Sequence, residues 1–181
     1  MLSDYLNYKK MYDLMNQRQS IRNFSEPALR EEIEKIIHAG ITAPSAFNSQ
    51  PWKFVVVESQ EMKKKIREAY SDLRKKHNWY EQDTSFIERC TPVLVVSEDD
   101  SEMNIVSCSL AIQNMFLSAE SLGLGSLPVG AFQMNKEDEK ELLDLCEVEK
   151  GKLVLLCLFG KKDEKPERKT RKAIEEVVEF R

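Results

Sequence analysis

Apolar positions recur at helical spacing over Tyr5–Gln17, where Leu6, Met11, Leu14 and Met15 share one side. A second helix is expected to open at Pro27, a residue favoured at the first helical position, with Leu29, Ile33, Ile36 and Ile37 as its stripe and Gly40 as its stop. A third pattern covers Gln60–His77. The runs Lys53–Val57, Pro92–Ser97 and Lys152–Phe159 are short and apolar, as strands buried on both faces are. Met103–Leu122 is the longest helical pattern, and its apolar residues cover more than one face. Such a helix is either central in a core or half in a subunit interface. Gly123-Leu124-Gly125 ends it, Ser126–Phe132 reads as extended chain, and Asn135 caps a short helix reaching Cys146. Beyond Gly160 the chain is polar, with a short final helix over Ala173–Phe180.

Five or six helices and three or four strands, mixed in order, predict a sheet with helices packed on each side. No linker or repeat divides the chain, so residues 1–181 are expected to form one domain. Hydrophobic residues make up 41% and charged residues 32%, an ordinary globular balance. No apolar run approaches the roughly 18 residues of a membrane span, and Met1–Lys10 is too polar for a signal peptide. The expected location is therefore cytoplasmic, with no membrane partner. A net charge of −4 and a pI of about 5.4 argue against nucleic acid. Cys90, Cys108, Cys146 and Cys157 form no C-x-x-C pair, and His38 and His77 lie far apart, so no metal site is expected. Buried free thiols are the expectation.

The charge is uneven. Lys161–Lys172 holds seven basic and three acidic residues. Met62–Lys76 is also basic, but Met62, Ile66, Ala69, Tyr70 and Leu73 interleave at helical spacing, which reads as a solvated helix face.

Three stretches invite a chemical reading. Gly123, Gly125 and Gly130 spell neither a dinucleotide fingerprint nor a P-loop, and they follow a helix rather than a strand. The stretch R-Q-S-I-R-N-F, Arg18 to Phe24, places two arginines around Ser20, with Ile21 and Phe24 as anchors. A pair of surface arginines beside a capping serine is the default reading of this stretch alone, and a grip on phosphate is the alternative. The loop P-S-A-F-N-S-Q-P-W, Pro44 to Trp52, is longer than the two to six residues such connections usually need, and small polar loops of this kind often hold ligands.

In order and approximate spacing Arg18/Ser20/Arg22, Pro44–Trp52, Leu127–Phe132 and Lys169/Arg171 resemble the nitroreductase family of flavin mononucleotide (FMN) enzymes. R-Q-S-I-R-N-F is similar to that family's R-R-S-x-R-x-F, and P-S-A-F-N-S-Q-P-W-K-F to its P-S-S-x-N-x-Q-P-W-x-F. I-Q-N-M-F-L-S-A-E-S-L-G-L-G-S-L-P-V-G-A-F resembles its central helix and flavin-contacting turn. The resemblance runs from about Tyr12 to Phe180.

It implies an α+β nitroreductase-like fold with a mostly antiparallel sheet, in an intertwined homodimer with two sites at the subunit interface. Arg18, Gln19, Ser20, Arg22, Lys169 and Arg171 would surround the flavin phosphate, ribityl chain and pyrimidine edge. Pro44, Ser45, Ala46 and Asn48 would reach the flavin from the partner. Leu127, Pro128, Val129 and Gly130 would lie along the ring, the Gly130 N–H directed at N5. No side chain is expected to act as acid or base. NADH or NADPH would be the electron donor, and a small electron-poor molecule such as a nitroaromatic or quinone the acceptor. A flavin phosphate carries roughly −1.5 to −2 charges, so several cations must converge on it, which the two basic segments could do if the tail folds back. This chain departs from the family pattern at Gln19, commonly Arg or His, at Ala46, commonly Ser, and at Gly130, acidic in some members. The other functions compatible with these residues are an FMN storage or sensor protein without turnover, and a different flavin reaction such as reductive dehalogenation.

Overall fold

The run Thr91–Ser97 is buried at every residue, and its side chains alternate between two hydrophobic layers, Leu94 and Val96 in one, Val93 and Val95 in the other. That alternation is the two-residue period of a strand covered on both faces. A computed structural model describes residues 2–181. The helices are α1 (Leu2–Gln17), α2 (Arg30–Ile41), α3 (Gln60–Lys76), α4 (Glu102–Ser121) and α5 (Lys136–Leu145). The strands are β1 (Phe24–Pro27), β2 (Trp52–Val56), β3 (Thr91–Ser97), β4 (Leu124–Val129) and β5 (Lys152–Lys162).

Every strand pair is antiparallel. β5 is the hub, paired with β3, with β4 from Leu124↔Lys161 to Val129↔Leu156, and at its far end with β1. β2 pairs with β3. Helices α3 and α5 cover one face through Ile66, Tyr70, Leu73 and Leu142. Helices α2 and α4 cover the other through Ile33, Ile36, Ile112, Met115 and Phe116. The architecture is α+β, as the resemblance implies.

Several boundaries differ from expectation. Pro27 does not open a helix; it ends β1 opposite Gly160, and α2 begins at Arg30. There the Glu32 carboxylate accepts the Leu29 N–H at 2.7 Å and satisfies the helix entrance. Gly40 is not the stop either. It lies inside α2, where an added Cβ would sit 2.9 Å from Met115 Cγ, so it is small to let α2 close on α4. The extended stretch Ser126–Phe132 divides into the end of β4 and a 3₁₀ turn, Ala131–Gln133. The final helix over Ala173–Phe180 shrinks to one 3₁₀ turn, Ile174–Glu176, and Ile174, Val177 and Phe180 find no core to pack on. Asn135 caps α5 as expected, accepting the Asp138 N–H at 2.9 Å.

The apolar side of α1 stays exposed, with Leu6, Met11 and Met15 about half accessible. Helix α4 buries Cys108, Ala111, Met115 and Ala119 yet exposes Met103, Val106 and Leu110.

Candidate functional site

The segment after α1 is fixed by its apolar residues: Ile21 and Phe24 are buried. It lies against the start of β4, where the Ile21 N–H donates to the Ser126 carbonyl at 3.0 Å and Ser20 bridges Ser126 in parallel. This pairing carries Arg22 to the end of β4. There Arg22, Leu127, Pro128, Val129 and Gly130 line one cavity of about 290 Å³. Tyr70 and Arg74 of α3, with Trp79, Tyr80 and Gln82 of the following loop, also line it. Among the described residues no carboxylate lines it.

The polar tail returns to the same segment. Glu164 accepts the backbone N–H groups of Arg22 and Asn23, and the Asn23 side chain donates to Asp163 at 3.2 Å. The Arg18 guanidinium is held below its ordinary pKa, first by partial burial and then by the charge of Arg171, with Glu120 acting the other way. Glu120 is itself engaged with Lys162 at 2.7 Å. Among the described residues neither Arg18, Arg22, Lys169 nor Arg171 has a carboxylate within ion-pair distance. Arg171 reaches only the carbonyls of Lys169 and Thr170, both at 3.2 Å. Gln19 turns back to the Asn16 carbonyl at 3.3 Å. Two like charges close together, neither held in an ion pair, favour an anion between them.

Gly130 has no reason inside its own chain to be glycine. Its φ is −88°, a value any residue adopts, and an added Cβ would find Gln133 Oε1 at an ordinary 3.5 Å. Its carbonyl accepts the Gln133 N–H at 3.1 Å, while its own N–H donates to no acceptor among the described residues. A free amide with open space before it fits a flat ring that accepts hydrogen bonds at its edge. The cations and this turn together fit FMN.

The loop Pro44–Trp52 lies elsewhere. Pro44, Ser45 and Ala46 line a hollow of about 370 Å³ with Met103, Val106 and Leu110 of α4, and neither they nor Asn48 line the Arg22 cavity. Ser45 Oγ accepts the Gln50 N–H at 3.0 Å, and the Ala46 N–H donates to Ser107 Oγ at 3.3 Å. Phe47, Asn48 and Gln50 hold φ of 54°, 55° and 49°, the left-handed region that costs a non-glycine residue roughly 1 kcal/mol or more. Phe47 is 96% exposed. A single chain therefore brings Arg22 and the Leu127–Gly130 turn to one cavity and leaves Pro44, Ser45, Ala46 and Asn48 outside it.

The wall of Arg74, Trp79 and Tyr80 is absent from the sequence reading. Helix α3 was expected to present a solvated basic face, yet Lys63 and Arg74 are buried. Arg74 follows Tyr70 by one helical turn, and that spacing was the available signal. The thiols are buried or half-buried and free, as expected; burial pushes Cys146 up to about 11 and raises Cys90, Cys108 and Cys157. Among the described residues no helix is long and apolar enough to cross a membrane.

The sequence profile of the Nitroreductase family matches residues 15–161. A protein of Archaeoglobus fulgidus, whose name gives NADH dehydrogenase/NAD(P)H nitroreductase, is 36% identical over 157 residues, 82% of this chain and 83% of that protein. A protein of Bacillus subtilis named as an NAD(P)H FMN reductase is 32% identical over 148 residues, 72% of this chain, which spans only 58% of that relative. The crystal structure of oxidized iodotyrosine deiodinase bound to FMN and 3-iodo-L-tyrosine shares the fold, with a TM-score of 0.80 over 94% of this chain and 98% of that one at 24% identity.

Proposed function

Because this chain belongs to the nitroreductase family, we propose that it binds FMN and passes electrons from NADH or NADPH to an electron-poor acceptor such as a nitroaromatic or quinone. Bound FMN supplies the two-electron chemistry, and the protein supplies binding, orientation and electrostatics. The observation that carries this reading is the cavity that Arg22 shares with the Leu127–Gly130 turn, together with the closeness of Arg18 and Arg171, neither of which forms an ion pair among the described residues.

In this reading Arg18, Arg22, Lys169 and Arg171 hold the phosphate end, with Ser20 and Gln19 on the ribityl side. The Gly130 amide donates to the ring. The site is completed in a homodimer, where Pro44, Ser45, Ala46 and Asn48 of the partner close over the flavin. Two features support the dimer. The strained backbone around Phe47 presents that ring to solvent, and strain of this kind persists where surroundings impose it. The exposed apolar residues of α1 and of the outer face of α4 likewise form a surface that one chain leaves uncovered.

Anaerobic mixing of FMN-loaded protein with NADH or NADPH tests the reading. Rapid bleaching of the yellow flavin is expected, followed by recolouring with a nitroaromatic. A protein that binds FMN but is bleached by neither nucleotide would be a flavin carrier or sensor. Reductive dehalogenation, the reaction named by the similar deiodinase, uses the same site and would show as halide release from a halogenated phenol.

A further inference from the structure

The cavity between Arg22 and Gly130 contains a second cation, and the flavin reading gives it no task. Arg74 is 7% exposed, and no carboxylate lies within ion-pair distance among the described residues. One amino group donates to Tyr70 Oη at 3.2 Å and the other to the Tyr80 carbonyl at 2.7 Å. A guanidinium has five N–H groups, so three remain. Three aromatic rings surround it, with centroids 5.5 Å (Tyr70), 5.6 Å (Trp79) and 5.0 Å (Tyr80) from Cζ. These cation–π contacts and two hydrogen bonds hold the group rigidly. They offset only part of the cost of burying a full charge, and they cancel none of that charge.

Asp83 and Glu81 line a neighbouring cleft that Arg74 also borders, and among the described residues neither forms an ion pair with it. Asp83 accepts from the Ser85 amide at 2.9 Å and the Ser85 hydroxyl at 2.7 Å. Among the described residues the cavity itself holds two cations and no anion. Arg22 belongs with the flavin. Arg74 lines the same cavity as the turn that would bear the ring, with the rings of Trp79 and Tyr80 next to it.

We propose that Arg74 selects the electron acceptor: an aromatic compound bearing a carboxylate or similar anion, its anionic group on the Arg74 guanidinium and its ring against Trp79 and Tyr80. The proposal rests on the flavin reading and adds the class of substrate. For a nitroaromatic acid the overall step is Ar–NO₂ + NADH + H⁺ → Ar–NO + NAD⁺ + H₂O. The nitrogen is reduced by two electrons, one N–O bond breaks, and that oxygen leaves as water. Arg74 takes no part in the proton balance. A guanidinium stays charged at any working pH, which suits it to binding rather than proton transfer.

The test uses FMN-loaded protein and a matched pair of probes, 4-nitrobenzoate and 4-nitrobenzyl alcohol, which differ chiefly in charge. The flavin is reduced anaerobically by light and EDTA, and its reoxidation by each probe is followed by absorbance. A hydrogen-bonded ion pair predicts a preference for the carboxylate of roughly ten- to a hundred-fold in the second-order rate constant. Arg74→Gln should erase that preference, and Arg74→Lys should keep part of it. Equal rates with both probes in the unmodified protein would overturn the proposal without any variant, so a misfolded Arg74→Gln cannot shield it. So would a preference that survives Arg74→Gln. If Arg74→Gln instead slows flavin reduction by NADH and leaves the probe preference intact, the residue serves the nucleotide's phosphates and the proposal falls. Because light supplies the electrons, failure of NADH and NADPH to bleach the flavin would overturn the proposed reductase activity alone.

Discussion

Arg18 and Arg171, from opposite ends of the chain, lie close enough that the charge on Arg171 makes the Arg18 guanidinium easier to deprotonate. A phosphate between them would turn that repulsion into two attractions. Hydrogen bonds to charged groups contribute about 1.5–3 kcal/mol, so Arg18→Ala should weaken FMN binding roughly ten- to a hundred-fold. The phosphate takes its second negative charge near pH 6, so affinity should rise between about pH 5 and 7, less steeply in the variant. Titration of apoprotein, followed by quenching of flavin fluorescence, checks both. An unchanged dissociation constant would remove Arg18 from the phosphate site.

Gly130 offers an unusually clean substitution. The residue before it ends a strand, and its own φ of −88° lies near the range of proline, so Gly130→Pro should fold. The lost N–H has no acceptor among the described residues. Stability in urea is expected within about 1 kcal/mol of the parent protein. The bound flavin should become harder to reduce, because a donor that stabilises the charge built up on reduction is gone. A reduction potential identical to that of the parent protein would show that this amide does not tune the ring.

Sedimentation at low micromolar concentration should give about 42 kDa, twice the 21.0 kDa of the chain. Phe47→Asp places a charge on the exposed, strained tip and should shift the protein toward monomer with loss of FMN. A clean monomer that retains FMN would rule out a shared site.

Asp138 ties α5 to α3. Its buried carboxylate receives Lys76 Nζ at 2.7 Å, Asn135 Nδ2 at 2.6 Å and contacts His77 Nε2 at 3.1 Å. The Lys76 hydrogen bond, ahead of those from His77 and Asn135, outweighs the effect of burial and holds the carboxyl below its ordinary value. A depressed carboxylate stabilises the fold above its unfolded pKa near 3.8, and that stabilisation fades as pH falls through the folded value. Asp138→Asn should cost about 2 kcal/mol at pH 7, below the range for fully buried pairs because Lys76 is half exposed. Urea unfolding at pH 7 and pH 3 should show the gap between the two proteins narrowing at the lower pH; a gap independent of pH would mean the carboxylate's charge is not what matters.

The sequence revealed the elements whose apolar period is uninterrupted, because that period reports burial directly. It placed Ile21 and Phe24 as anchors, which the structure buries, while the shared task of Arg18, Ser20 and Arg22 came only from the resemblance to the family. It concealed β1, whose four residues F-S-E-P carry one apolar anchor and a proline that resembles a helix start until Gly160 is seen opposite. The function of Gly40 was hidden for the same reason: its neighbour Met115 is remote in sequence. Arg74 looked like one more cation on a charged helix. Only the return of Trp79 and Tyr80 over the end of α3 makes it a buried one.

The position of β5 has a consequence for synthesis. β3, β4 and β1 all take their hydrogen bonds from Lys152–Lys162, so a nascent chain that has emerged only as far as α5 holds β2 and β3 as a lone pair, with β1 and β4 bare. Two such strands are marginal by themselves in water. The sheet therefore closes only once β5 has left the ribosome, and until then its most apolar strands depend on chaperones or on speed to avoid pairing with other chains.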